Sequence, residues 1–313
     1  MINQFIQNKN RSGLYVGLGG FFVVLFFVVF SIGCSVVKDE KLQQPAPEQE
    51  ETMIQEEEGV DYFLPKIDLN NWKVTLPIGN PSEVKPPTIL NYATNELLQP
   101  FMYNDSIDGG LVFYTYPAQS TANSSYSRTE LREQMESGSD KKNWTFAQGG
   151  KMRGRLKVEE ISKGSDEKFH RTIIMQIHGR LTDEQRAAIG EDDNNAPPML
   201  KIYWANNRIR VKTKVLKDTS ATGDDILPVS AWGDDPGVYF DEYVYNDEFT
   251  LEIEVEEGRM VITLNDKQTL AYEGVHIDKW GVFENYFKAG NYLATRDEGA
   301  FSKVKYYELN VIH

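Results

Sequence analysis

The stretch TLEIEVEEGRMVITLNDKQTLAYE, residues 250–273, limits the possible folds more than any other part of the chain. Apolar and polar residues alternate through three short runs, broken at Glu257-Gly258 and at Asn265-Asp266. Successive side chains of a strand point to opposite faces, so this period puts one face in a core and the other in water. Gly and Asn-Asp breaks suit the tight turns of a meander. LKIYWANNRIRVKTKV (200–215) reads as a further hairpin turning at Asn206-Asn207. Similar runs lie at 111–117, 150–161, 171–179 and 304–312. Many short strands at close spacing predict an all-β chain, a β-sandwich or jelly roll. One helix is expected, with Thr182 and Gln185 forming a capping box and Gly190 ending it. It opens a long connection, 180–198, whose DDNN reads as a solvated loop rather than a calcium site. This connection is expected to border a binding cleft.

The core need not include the N-terminus. Lys9 and Arg11 precede an uncharged apolar stretch, 14–32, that ends at Cys34, the single cysteine of the chain. A basic start, an apolar centre and small residues before a cleavage point describe an export signal. Ser31-Ile32-Gly33-Cys34 resembles a bacterial lipoprotein box, with Ser31 where Leu is usual. Cys34 would then carry lipid; the alternative is a plain membrane anchor. Residues 38–61 hold nine acids and two lysines with no hydrophobic period, a composition that does not offset chain entropy. The organisation expected is therefore a signal peptide at 1–33, an acidic disordered tether at 34–61 and one folded domain at 62–313. Lys38-Asp39-Glu40 resembles the surface-export signal of some Gram-negative lipoproteins. The expected location is the outer membrane, with exposure at the cell surface. A formal charge of −14 argues against nucleic acid as a partner, and a single cysteine allows no internal disulfide.

Three segments carry unusual polar rows. In YSRTELREQ (126–134), Arg128, Glu130 and Arg132 share one face. In IIMQIHG, Gln176 and His178 share a face opposite Met175 and Ile177. In NYFKAGNYLA (285–294), Tyr286, Lys288, Gly290 and Tyr292 line up. Taken singly, each residue has an ordinary reading: a cross-strand ion-pair ladder, a hydrogen-bonded histidine, strand-forming tyrosines, an edge lysine, a glycine at a bulge. Were the three strands neighbours, their faces would together build one cleft.

RTELRE, QIH and YFKAGNY resemble the three signature stretches of the alginate lyases of polysaccharide lyase family 7, and WKVTLPIG (72–79) resembles that family's first core strand. The resemblance runs from about residue 66 to the C-terminus. It implies a β-jelly-roll sandwich whose concave sheet binds the sugar chain. Ala294 departs from it, since the family often has a sugar-contacting Gln there. The implied reaction is β-elimination on a 1,4-linked uronate chain, with no cofactor and no metal. The resemblance assigns the catalytic work to Arg128, Gln176, His178 and Tyr292, and substrate binding to Glu130, Arg132, Tyr286 and Lys288. The C5 proton is a poor acid beside a charged carboxylate, so a site must neutralise that charge and stabilise the enolate-like state. Arg128 suits this by its bidentate geometry, and Gln176 and His178 can donate further hydrogen bonds. Tyr292 is the expected acid, and for same-side elimination also the base; opposite-side elimination needs His178 as a second group. Glu130 is expected to hold Arg128 and Arg132, and Gly290 to let the sugar approach the sheet. Ile177 between Gln176 and His178 accompanies guluronate-containing substrates in the family, which favours guluronate or mixed blocks. The partners expected are alginate and, through the lipid, a membrane; the chain is expected to be a monomer.

Two rivals belong to other classes. A sugar-binding lipoprotein would need no general acid, and so no joint Gln176, His178 and Tyr292. A sandwich glycoside hydrolase needs two carboxylates at a set distance, often as Glu-x-Asp-x-x-Glu, a spacing the chain lacks.

Overall fold

The computed structural model describes residue 65 and residues 67–118 and 125–313. The apolar stretch at 14–32, Cys34 and the acidic tether lie outside the described residues. No helix among the described residues is long and apolar enough to cross a membrane.

Two antiparallel sheets form the fold, and it is a β-jelly-roll sandwich. One sheet has ten strands. Its main path runs Trp232–Asp234, Arg208–Leu216, Leu200–Ala205, Thr172–Arg180, Glu284–Leu293, Arg128–Glu133, Trp72–Leu76 and Ser82–Val84. Val238–Tyr243 adds to the Arg208–Leu216 strand, and Trp144–Thr145 adds to Glu284–Leu293. The second sheet has seven strands in the order Gln268–Glu273, Arg259–Leu264, Phe249–Glu256, Gly150–Ile161, Ser302–Ile312, Leu111–Thr115 and Met102–Asn104.

The local expectations are met where the signal was local. The 250–273 meander forms three strands, and Gly258, Asn265 and Asp266 take positive φ at its two turns. The 200–215 hairpin turns on Asn206 and Asn207, both at positive φ, as the right-handed twist of the flanking strands requires. Thr182 caps the helix Asp183–Ile189: its hydroxyl accepts the Gln185 N–H at 3.1 Å, while Gln185 Oε1 accepts the Thr182 N–H at 2.9 Å. A second helix, Val275–Trp280, was not foreseen. It has six residues and no side-chain cap, and it is held by burial of Ile277 and Trp280 rather than by propensity.

The core lies between the sheets. Phe113, Tyr306, Phe287, Met175 and Ile177 are fully buried there. Burying side chains of this size stabilises the fold by roughly 1.5–3 kcal/mol each. Asn291 is a polar exception with every group engaged. Its amide donates to the carbonyls of Phe113 and Ser302 at 2.8 and 2.9 Å, and its oxygen accepts from the Thr172 and Ser302 hydroxyls at 2.7 Å each. Because Phe113 and Ser302 belong to the seven-stranded sheet, Asn291 ties the two sheets together beneath the neighbouring Tyr292.

Candidate active site

The three polar segments are adjacent strands. Glu284–Leu293 lies between Thr172–Arg180 and Arg128–Glu133. Tyr286 faces His178, Lys288 faces both Gln176 and Arg132, and Tyr292 faces Arg128. All eight residues singled out by sequence therefore fall on one face.

At the centre sits Glu130, only 1% exposed. It accepts a hydrogen bond from Gln176 Nε2, pairs with the Lys288 ammonium, and lies 3.6 Å from Arg128 Nη1. A buried carboxylate with three polar partners fixes their positions. It leaves one N–H of the Gln176 amide and most of the Arg128 guanidinium for another acceptor. Arg128 also lies over the Tyr292 ring, 5.0 Å from its centre.

Arg132 is held differently from expectation. Its partner is not Glu130: Nη1 pairs with Asp140 at 2.8 Å and Nη2 donates to Asn143 Oδ1 at 2.9 Å. The Arg132 guanidinium also covers the Tyr286 ring at 4.1 Å. On its other side that ring stacks on His178, with centres 5.2 Å apart and planes 11° from parallel. The Tyr286 ring thus lies between the guanidinium and the imidazole and fixes the plane of the imidazole by stacking. Burial pushes its phenol above the ordinary value, against the pull of Arg132 and Arg128.

His178 Nδ1 lies 2.9 Å from the Gly179 carbonyl. A carbonyl only accepts, so Nδ1 carries the proton and Nε2 keeps its lone pair. Burial, followed by the positive charge of Lys288, holds the imidazole well below its ordinary pKa. It is neutral at neutral pH and able to take a proton. Burial also lowers the Lys288 ammonium, to about 8, against the opposing pull of Glu130.

Gly290 has a different reason from closeness to a sugar. Its φ is +133°, and a Cβ there would meet the Thr129 carbonyl oxygen at 2.7 Å and Glu130 Cα at 3.0 Å. Both are backbone atoms of the neighbouring strand, so glycine is required by the strand pairing itself. The register shifts between Ala289 and Tyr292 at this bulge. Ile177 is fully buried on the core face, opposite Phe287 and Leu200; an effect of this residue on a sugar passes through backbone position alone.

The sequence reading missed how far the cationic surface extends. Lys73, Arg132, Lys288, Gln176, Lys201 and Lys212 face one another in turn across six strands. Like charges placed directly opposite destabilise a sheet, and acids only partly offset them. Lys73 pairs with Glu83 and Asp140, at 2.7 and 2.8 Å, and Lys212 with Asp234 at 3.2 Å. The alternation of LKIYWANNRIRVKTKV already placed Lys201 and Lys212 on single faces; only the register shows that the faces coincide.

The 180–198 connection begins on this same face. Arg180 follows Gln176 and His178 at period two, binds Glu284 at 2.5 Å, and comes within 4.0 Å of Asp183 at the helix start. Asp193 Oδ1 accepts the Asn195 N–H at 2.9 Å in a local turn. Among the described residues, no group of three or more His, Cys, Asp or Glu is placed to hold a metal ion.

Comparison with known proteins agrees with this geometry. A family model described as alginate lyase matches residues 67–313. The crystal structure of alginate lyase A1-II′, a member of polysaccharide lyase family 7, is 30% identical, with a TM-score of 0.63 over 79% of this chain and 96% of that one. A variant of the same enzyme in complex with substrate (GGMG) is 28% identical, with a TM-score of 0.60 over 79% of this chain and 94% of that one. Alginate lyase AlgAT5, also of polysaccharide lyase family 7, is 25% identical, with a TM-score of 0.57 over 80% and 99% of the two chains. A search of curated proteins gives no match. Since the family model spans every strand of the sandwich and the sheet carries the family's three polar segments on one face, the chain belongs to the alginate lyase family.

Proposed function

We propose that this lyase cuts alginate at guluronate by opposite-side elimination, with His178 as base and Tyr292 as acid. The observation that carries the reading is the placement of a neutral, oriented imidazole and a phenol on one face beside a cross-strand row of cations. Arg128 and the free N–H of Gln176 bind the carboxylate of the sugar to be cut and offset its charge, which makes the C5 proton acidic enough to remove. His178 Nε2 takes that proton. The electron pair forms the C4–C5 double bond, the C4–O bond breaks, and Tyr292 gives its phenolic proton to the leaving oxygen. In guluronate the C5 proton and the C4 oxygen lie on opposite faces of the ring, so two separate groups are needed. In mannuronate they lie on one face, and Tyr292 alone serves both steps. Lys288 and Arg132 stand along the row where carboxylates of neighbouring sugars would lie. Glu130 holds Arg128, Lys288 and Gln176, and Tyr286 holds His178.

The test is His178→Asn assayed on separate polyguluronate and polymannuronate. Loss on polyguluronate of about a hundredfold or more, the scale of one general base, with a much smaller loss on polymannuronate, supports the reading. Equal losses on both would sink it.

We further propose that the enzyme is exported as a monomeric lipoprotein with lipid on Cys34 and the acidic segment as a tether. The support for the lipid and the tether is the sequence of residues 1–61. Cys34→Ser should move the protein from the membrane fraction to the soluble one; an unchanged membrane fraction would contradict the lipid.

A further inference from the structure

A second cross-strand row runs beside the first. Tyr292 faces Ile173, Ile173 faces Tyr203, Tyr203 faces Arg210, and Arg210 faces Tyr239. From the Tyr292 strand to the Tyr239 strand is four strand spacings, about 19 Å. A cavity of about 570 Å³ takes in the Arg210 and Tyr239 end of this row, and its lining also includes Ala294, Arg171, His170 and Phe169.

The charges of this cavity are unevenly satisfied. Lys168 is paired with Asp166 at 3.0 Å, and His170 faces Asp297 at 3.6 Å. Among the described residues, neither Arg171 nor Arg210 has a carboxylate within 4.0 Å, although Arg210 Nη2 donates to the Pro236 carbonyl at 2.6 Å. Arg210 Nε and His170 Nε2 are buried without a hydrogen-bond partner. Buried donors are rarely left so, because each has given up water for nothing. The rings are in place as well. Arg210 and Arg208 lie over Tyr239 at 5.3 and 5.2 Å, and Arg171 over Tyr203 at 5.8 Å. Guanidinium groups match a carboxylate, and a phenol face suits the C–H side of a sugar. Ala294 adds only a methyl group to the wall.

We propose that this cavity is an accessory subsite that takes one uronate of a long chain, several sugars from the bond that is cut. Arg210 and Arg171 take its carboxylate, and Tyr239 lines the wall beside its ring. The proposal rests on the alginate lyase reading and adds a function to it: the enzyme measures chain length. A long chain fills both the reacting position and the cavity, whereas a short oligomer does not reach from Tyr292 to Arg210 and Tyr239, three and four strand spacings away.

Guluronate oligomers from trisaccharide to octasaccharide provide the test, with the double-bond absorbance followed for wild type, R171A, R210A and R210K. For the octasaccharide, kcat/KM falls about tenfold in R171A and R210A, the scale of one charge-assisted hydrogen bond, and the fall is in KM. For the trisaccharide it is unchanged, and R210K restores part of the loss. Equal losses at every length, or no loss at the longest, would overturn the proposal. If melting shows that R210A does not fold, R171A decides, since its side chain is exposed. If wild type cleaves no oligomer, the lyase reading has failed instead. Calorimetry of the octasaccharide with wild type and R171A then judges the cavity alone, and unchanged affinity would overturn it.

Discussion

The Tyr306 hydroxyl reaches across the sandwich to Gly290, accepting its N–H at 3.1 Å and donating to the Ile174 carbonyl at 2.6 Å. The register between the Glu284–Leu293 and Thr172–Arg180 strands shifts between Ala289 and Tyr292, and one phenol from the opposite sheet satisfies backbone groups on both strands there. Tyr306 is fully buried, and burial pushes its pKa far up, so it stays a donor. Period two keeps Lys288 and Tyr292 on the site face, and Tyr306 secures the bulge between them from below.

Tyr306→Phe keeps the ring packed but strands two backbone groups. Stability should fall by about 1–3 kcal/mol, read by urea unfolding. Activity should fall as well, because Tyr292 loses its fixed position, and product should still be unsaturated. A variant as stable and active as wild type would show that the bulge needs no support.

Lys288 should set an alkaline limit. Its pKa of about 8 lies below the ordinary lysine value because the ammonium is buried, so the cation is lost as pH rises through about 8. The profile of kcat/KM against pH should fall there. Lys288→Arg keeps its charge at every accessible pH and should move that limb upward. The same shift means that the cost of burying the charge is present below about 8 and disappears as pH rises toward the unfolded value. An unmoved limb in Lys288→Arg would assign it to another group.

His313 offers a stability test away from the site. Its Nε2 contacts the buried Glu133 carboxylate at 2.5 Å. The other Glu133 oxygen accepts from Trp144 Nε1 and the Phe287 N–H, at 3.0 and 2.9 Å. Burial opposes the charged imidazolium, but the hydrogen bond and charge of Glu133 outweigh it and raise the pKa. A raised base stabilises fully below its unfolded pKa and loses that contribution as pH rises through the folded value. His313→Ala should therefore cost about 2 kcal/mol at mildly acidic pH, and less under alkaline conditions. A cost independent of pH would leave packing as the whole effect.

Sequence alone showed what is encoded nearby. The meander turns, the Asn206-Asn207 hairpin and the Thr182 cap each depend on residues within a few positions of one another. The grouping of Arg128, Gln176, His178, Lys288 and Tyr292 was legible because period two sorts a strand's faces, and the family resemblance implied that these strands are neighbours. What failed was register. The row from Lys73 to Lys212 crosses six strands, and no single segment announces it. The shared strand face points Arg132 to Glu130, whereas its carboxylate partner is Asp140, from the loop that follows. Period two suggests that Gly290 gives clearance for a sugar, but its Cβ position points into backbone, a fact of strand pairing that spacing does not carry.

The most direct measurement is the rise in ultraviolet absorbance from the new carbon–carbon double bond when the protein meets alginate, with Tyr292→Phe as its control. The account predicts a rise with wild type and a rate lower by about a hundredfold or more in the variant, while the variant still binds the polymer. A flat wild-type trace from folded protein that binds alginate, or a variant as fast as wild type, would contradict it.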